Sequence, residues 1–158
     1  MLILIRGAGD IATGIALRLH RAGMQVVMTD LPHPTAIRRT VCFSPAIALG
    51  AAEVEGVRAV CARDVPHARA LLAAGAVPVL ADPDCLCRRE LRPDALVDAI
   101  LAKRNLGTAL TDAPVVIGVG PGFTAGTDCH AVVETMRGHT LGRAIYQGSA
   151  LPNTNIPG

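Results

Sequence analysis

The sequence predicts an α/β fold, with an open, mostly parallel sheet, helices on both faces and a final third richer in strand. Three observations carry this reading. An apolar run, Leu2-Ile3-Leu4-Ile5, leads straight into Arg6-Gly7-Ala8-Gly9-Asp10-Ile11-Ala12, which fits G-x-G-x-x-G/A with Ala12 in the third place. A second apolar run, Val26-Val27-Met28, ends on Thr29-Asp30, and Asp30 lies 21 residues past Gly9. That is close to the ~20-residue offset of the ribose-binding acid in dinucleotide folds. Apolar runs then alternate with helix-compatible segments through the first two-thirds, as βαβ units do. Together these make the fold Rossmann-like.

The first strand is the run 2–5. Its exit must turn into a helix within a few residues, and Gly7 can take the backbone angles this needs. Gly9 leaves room for a pyrophosphate to approach the backbone, and Ala12 is small enough for close helix–strand packing. The helix start offers free N–H groups and partial positive charge to an anion. Ile11, Ile15 and Leu19 recur at helical spacing, with Arg18, His20 and Arg21 on the other face, and Gly23 ends the helix. Leu31-Pro32-His33-Pro34 is too proline-rich for a helix interior. Ser44-Pro45 reads as a cap and first turn of a short helix to about Leu49.

Residues 53–62 alternate around Gly56 as strand or hairpin. Asp64 caps a helix closed by Gly75, and Val77-Pro78-Val79-Leu80 is a buried strand ending at Asp82. A short helix is expected over 84–91 and strands over 95–101 and 115–119. Two more strand candidates, 131–133 and 144–146, flank a turn at Arg137-Gly138-His139. In open sheets of this kind ligands bind beyond the carboxyl ends of the strands. The 7–12 turn, Thr29-Asp30, Asp82 and the glycine-rich loop 120–126 should gather there, with Asp98 and Lys103-Arg104 near them.

With 158 residues the chain has the size of one domain, read as 1–148 followed by a polar tail or linker at 149–158. Hydrophobic residues make up 51% but aromatics only 2%, so the core must be built from Ala, Val, Leu and Ile. A net charge of +2 argues for neither nucleic acid nor a membrane surface. No apolar run is long enough to span a bilayer, and the first apolar stretch meets Arg6 and a glycine turn rather than a cleavage site. A cytoplasmic location is the default expectation.

The five cysteines, Cys42, Cys61, Cys85, Cys87 and Cys129, fit no C-x-x-C pair and no zinc-finger spacing. Cys85 and Cys87 form C-x-C. In a helix their thiols would point to opposite sides, which argues against joint metal binding. No metal site is expected.

A second constellation follows the 120–126 loop: Asp128-Cys129-His130, then Glu134 and His139. As a strand, Asp128, His130 and Glu134 share one face, but Asp128 and Glu134 would lie about 20 Å apart. As a helix, His130 and Glu134 become neighbours. Val132-Val133 favours the strand. Asp128, Cys129 and His130 are candidates for catalysis, with Cys129 as a thiolate beside an anion-binding loop and a structural role for His130 as the alternative. Candidate cofactor-binding residues are Arg6, Gly7, Gly9, Asp10, Asp30, Arg38, Arg39, Lys103, Arg104, Gly120, Gly122 and Thr124. The basic pairs also read as solvated surface charge.

Several segments carry a family resemblance: 5–14, Arg38-Arg39-Thr40-Val41, Leu101-Ala102-Lys103-Arg104-Asn105 and Pro121-Gly122-Phe123-Thr124-Ala125-Gly126. The stretch 128–135, Arg137-Gly138-His139 and Leu141-Gly142-Arg143 extend it. Across essentially its whole length the chain resembles the accessory proteins of selenium-dependent molybdenum hydroxylases. The resemblance implies a role in maturing hydroxylases of the xanthine dehydrogenase type, through handling or modifying the molybdopterin cofactor. It implies a hydroxylase subunit as partner and a Rossmann-like domain, but no established catalytic residue. Members of that family are longer, so the ending 152–158 reads as a cut at a linker.

Three functions follow as expectations. The first is a maturation factor that binds a nucleotide or a phosphate-bearing, molybdopterin-type cofactor. The second is an NAD(P)-dependent oxidoreductase, in which Asp30 would favour NAD over NADP. The third is a non-catalytic scaffold that delivers a cofactor. Homo-oligomerisation is left open.

Overall fold

A computed structural model describes residues 1–152. The chain runs β1 (Leu2–Arg6), α1 (Asp10–Arg21), β2 (Gln25–Asp30), α2 (Ala46–Leu49), β3 (Ala51–Val54), β4 (Val57–Ala62), α3 (Val65–Ala73), β5 (Val77–Ala81), α4 (Arg88–Leu91), β6 (Ala95–Asp98), β7 (Val115–Val119), β8 (Ala131–Val133) and β9 (Ala144–Ile145). The strands form one sheet in the order β3-β4-β5-β2-β1-β6-β7-β8-β9. All pairings from β4 to β8 are parallel, and the edge strands β3 and β9 are antiparallel. This is the expected α/β open sheet. Its direction of growth reverses between β1 and β6, which is the topological switch point.

Both faces are covered. Ile3, Ile5, Val26 and Met28 pack with Ala12, Ala16 and Leu17 of α1 and Ala46 of α2. Leu4, Val27 and Leu96 pack on the other face with Val65 and Ala68 of α3 and Leu91 of α4. Alternate strand residues feed alternate cores because the side-chain period of a strand is two. Phe43 is the largest fully buried side chain, Phe123 is also buried, and the core is otherwise mainly aliphatic.

Several boundaries differ from the sequence reading for local reasons. The buried face of α1 is Ala12, Thr13, Ala16 and Leu17, while Ile15 and Leu19 are only partly buried and Ile11 is exposed. Small side chains let the helix sit close on the sheet, so they take the contact line and the isoleucines flank it. The strand expected over 95–101 stops at Asp98; Leu101 and Lys103 then adopt positive φ, which ends any strand. Only Arg88–Leu91 of the expected 84–91 helix is helical. Before it, Cys85 takes φ +54 in a turn. That turn removes the premise of the argument about C-x-C thiols, because the two cysteines do not share a helix.

The expected tail also begins later than 149. Glu134 Oε2 accepts the Leu151 N–H at 2.9 Å, Ser149 Oγ lies 3.0 Å from Thr124 Oγ1, and Ala150 is buried. The remainder of the expected tail, 153–158, lies outside the described residues. Among the described residues no helix is long and apolar enough to cross a membrane.

Candidate functional site

At the switch point a cavity of about 600 Å3 opens beyond the carboxyl ends of β1, β2, β5 and β6. Its floor is the turn from Arg6 to Ala12, and its walls come from Thr29-Asp30-Leu31, Pro83-Asp84, Ala99-Ile100-Leu101 and Leu106. The exposed Ile11 gives it an apolar patch.

The two fingerprint glycines meet different surroundings. Gly7 has φ +104, and a Cβ there would come within 2.9 Å of the Ala99 carbonyl oxygen. It is therefore required by the close approach of the turn to the end of β6. Gly9 caps α1 with extended backbone, and nothing lies within 4 Å of where its Cβ would be. The space beside Gly9 is open to a ligand. Thr13 holds the turn from below: its hydroxyl donates to the Ala8 carbonyl at 3.3 Å and accepts the Phe43 N–H at 3.0 Å. Ser44 N–H donates to the same carbonyl at 2.9 Å.

Two carboxylates border the turn. Asp30 accepts the Ala8 N–H at 3.1 Å and the Leu31 N–H at 2.8 Å. Burial raises its pKa above the ordinary carboxylate range, and these two N–H groups partly counter that. Asp10 accepts the Ile11 N–H at 2.9 Å and pairs with Arg38 Nη1 at 3.1 Å. The Arg38 side chain remains 73% exposed, so a bound anion can compete for it. Arg39 is exposed, in a 3-10 turn at Arg39–Val41. Lys103 and Arg104 are exposed on the loop after β6, near the cavity but not lining it.

Arg6 lies deeper than an anion ligand would. Residue parity sends its side chain to the face of Leu4, where it is only 6% exposed. Nη1 donates to Thr108 Oγ1 at 2.9 Å and lies 3.5 Å from Asp98 Oδ2. Nη2 donates to the carbonyls of Pro83 at 3.1 Å and Leu106 at 3.0 Å. The Thr108 hydroxyl donates to Asp98 at 2.6 Å. Arg6 thus ties two cavity walls together. Asp98 was legible as an acid at a strand end, but no spacing pointed to its partner Thr108.

The 120–126 loop does not form a second cradle beside the first. Parallel β7 and β8 need a crossover, and residues 120–130 provide it without a helix. The chain leaves the carboxyl edge at Gly120 and returns across the sheet face with Phe123, Ala125 and Cys129 buried. Its glycines answer to that packing. A Cβ on Gly118 would come within 2.4 Å of the Phe123 ring, and one on Gly122 within 2.6 Å of the Arg104 backbone. One on Gly120 would meet the Thr135 hydroxyl at 2.9 Å. Thr124 N–H donates to Asp128 Oδ2 at 2.8 Å, closing the loop on itself.

This route carries Asp128-Cys129-His130 away from the cavity, contrary to their expected place near its reacting end. The register Ile117↔Ala131 sets His130 beside Val116, at the amino edge of the sheet. His130 Nδ1 accepts the Val116 N–H at 2.9 Å, and the His130 backbone N–H donates to the Val116 carbonyl at 2.8 Å. Three strand spacings and one strand length separate it from the Gly7 turn by roughly 20 Å. Cys129 is fully buried, and burial pushes its thiol pKa up. The cavity and the Asp128–His130 segment therefore do not form one site.

The chain is 55% identical over 157 residues to the uncharacterized protein YqeB of Escherichia coli (strain K12). The match covers 99% of this chain but 29% of that protein, so the chain spans less than a third of its relative's length. No family model matches the sequence, and no solved structure matches it.

Proposed function

We propose that the chain is the cofactor-binding module of an accessory factor for maturation of a selenium-dependent molybdenum hydroxylase. In this reading the switch-point cavity takes a nucleotide or a phosphate-bearing, molybdopterin-type cofactor. The observation that carries the binding role is the open space at Gly9, at the amino end of α1 and facing a cavity of about 600 Å3. A phosphate there would meet turn N–H groups and the helix dipole. Asp30 would accept a hydroxyl of an attached sugar, and Arg38 would exchange Asp10 for a phosphate oxygen. The maturation role comes from the whole-chain resemblance, with a hydroxylase subunit as partner.

Mass spectrometry of small molecules that co-purify with the native protein tests the ligand class. A nucleotide or pterin phosphate at near-stoichiometric level supports the reading; recovery of neither rejects it. A Cβ at Gly9 meets no atom within 4 Å, so Gly9→Leu puts a side chain into the open space. It should weaken binding by about tenfold or more, ~1.4 kcal/mol, at unchanged melting temperature. For the maturation role, fully active selenium-loaded hydroxylase after gene deletion is the contrary result.

A second reading, an NAD-dependent oxidoreductase, draws on the carboxylate of Asp30 at the end of β2, which would repel the extra phosphate of NADP. Calorimetric titration separates the two. Heat from NAD but not NADP favours this reading, and heat from neither removes it.

A further inference from the structure

A second cavity, of about 720 Å3, opens at the amino edge of the sheet, where the chain enters β6 and β7. One wall is α4 and its exit, with Arg88, Arg89, Arg92 and Asp94; the other is the turn at Thr111 and Asp112 before β7. It shares no lining residue with the switch-point cavity. With four residues α4 is too short to hold by itself. Leu91 anchors it in the core, and Arg69 Nη2 donates to the Glu90 carbonyl at 3.1 Å. The arginines therefore stand on a fixed element.

Three guanidinium groups crowd the residues 88–92 at i, i+3 and i+4 spacing, where like charges repel. A carboxylate answers only one of them. Arg88 Nε donates to Asp112 Oδ1 at 2.8 Å and Nη1 to the Cys85 carbonyl at 2.9 Å, while Nη2 has no partner among the described residues. Arg89 and Arg92 are exposed and form no ion pair among the described residues. The two acids of the lining are already engaged. Asp112 accepts the Ala109 N–H on Oδ2 at 2.9 Å, and Asp94 accepts the Leu2 N–H at 2.7 Å. Glu90, on the same helix, does not line the cavity. Arg92 is also held against its backbone preference, at φ +49 and ψ 64. Glycine is the usual residue in this left-handed position at a helix end, so an arginine there gives up stability while it adds a charge to the groove.

We propose that this groove is a second anion site, separate from the switch-point cavity, and that it takes a phosphoryl group. The guanidinium forks of Arg89 and Arg92 each take a terminal oxygen, with Arg88 Nη2 and the Thr111 hydroxyl as further donors. A terminal phosphoryl group has three such oxygens to share among these donors, where a carboxylate has two.

The test follows the arginine side-chain Nε–H signals of the full, nitrogen-15-labelled chain as inorganic pyrophosphate is added at physiological ionic strength. Signals of Arg89 and Arg92 should shift and saturate, and those of Arg18, exposed on α1, should not. Shifts at Arg89 and Arg92 that never saturate overturn the proposal. Loss of their shifts in Gly9→Leu overturns the separateness of the site. Arg89→Gln should weaken pyrophosphate binding by about tenfold, the loss of one charge-assisted contact. Arg92→Gly should weaken it similarly while melting at or above the wild-type temperature, because glycine relieves the left-handed backbone; unchanged affinity in that variant counts against the site. Hexaglutamate is the competing occupant, and saturable shifts with the peptide but not with pyrophosphate reject the phosphoryl class.

Discussion

Gly7 and Gly9 stand two residues apart in one turn, yet only Gly7 is irreplaceable on structural grounds. Gly7→Ala meets the Ala99 carbonyl at 2.9 Å in a backbone region that Cβ-bearing residues rarely adopt. It should cost about 1–3 kcal/mol of stability, seen as a lower urea midpoint. Gly9→Ala has neither obstacle and should melt as wild type does. Read from sequence, Gly7 serves the tight turn and Gly9 the approach of a pyrophosphate; the structure adds the packing of Gly7 against Ala99 and the open space at Gly9. Arg6 shows the same limit. Its position at a strand end is legible, but its partners Thr108 and Leu106 lie about a hundred residues further along, and no spacing rule joins them.

Among the elements, the crossover from β7 to β8 departs most from expectation. Glycine density in 120–126 reads as a phosphate loop, because the sequence cannot say that no helix will connect these two parallel strands. The loop lies flat on the sheet because Gly118 leaves space for the Phe123 ring. Gly118→Ala should therefore cost about 1–3 kcal/mol through overpacking, measured by chemical denaturation, and leave ligand binding at the switch point unchanged. Other elements were legible for physical reasons. β1, β2 and β5 are apolar runs buried on both faces, β7 is an apolar run with Val115 exposed, and the helix of 65–73 announces itself through Asp64, whose side chain accepts the His67 N–H at 2.8 Å. The C-x-C turn was not legible, because a positive φ at Cys85 has no sequence signature outside glycine and asparagine.

For the whole molecule, Glu134 decides how the end of the described chain is held. Glu134 is 3% exposed, and its carboxylate accepts N–H bonds from Thr135, Met136 and Leu151. Burial alone would raise its pKa, but the three bonds outweigh that and hold it below the ordinary value of 4.5. Because the folded value is depressed, the stabilisation is fully present above about 4.5 and fades as pH falls through the folded pKa. Glu134→Gln should cost about 2 kcal/mol at neutral pH and flatten the acid limb of the stability profile, read from denaturation midpoints at several pH values. The switch point itself was foreseeable, since the strand–turn–helix start and Asp30 place it. That the Asp128–His130 segment would sit at the opposite edge was not, because only the β7–β8 register fixes it.

The Arg6 guanidinium has a mechanical consequence. One hand of the fork holds the loop at Pro83 and the loop at Leu106, while the other is anchored through Thr108 and Asp98 to the sheet. Opposite jambs of the cavity's doorway thus hang from one hinge pin. Neither can swing alone without taking a carbonyl acceptor from a buried guanidinium, so widening to admit a guest at one jamb is felt at the other.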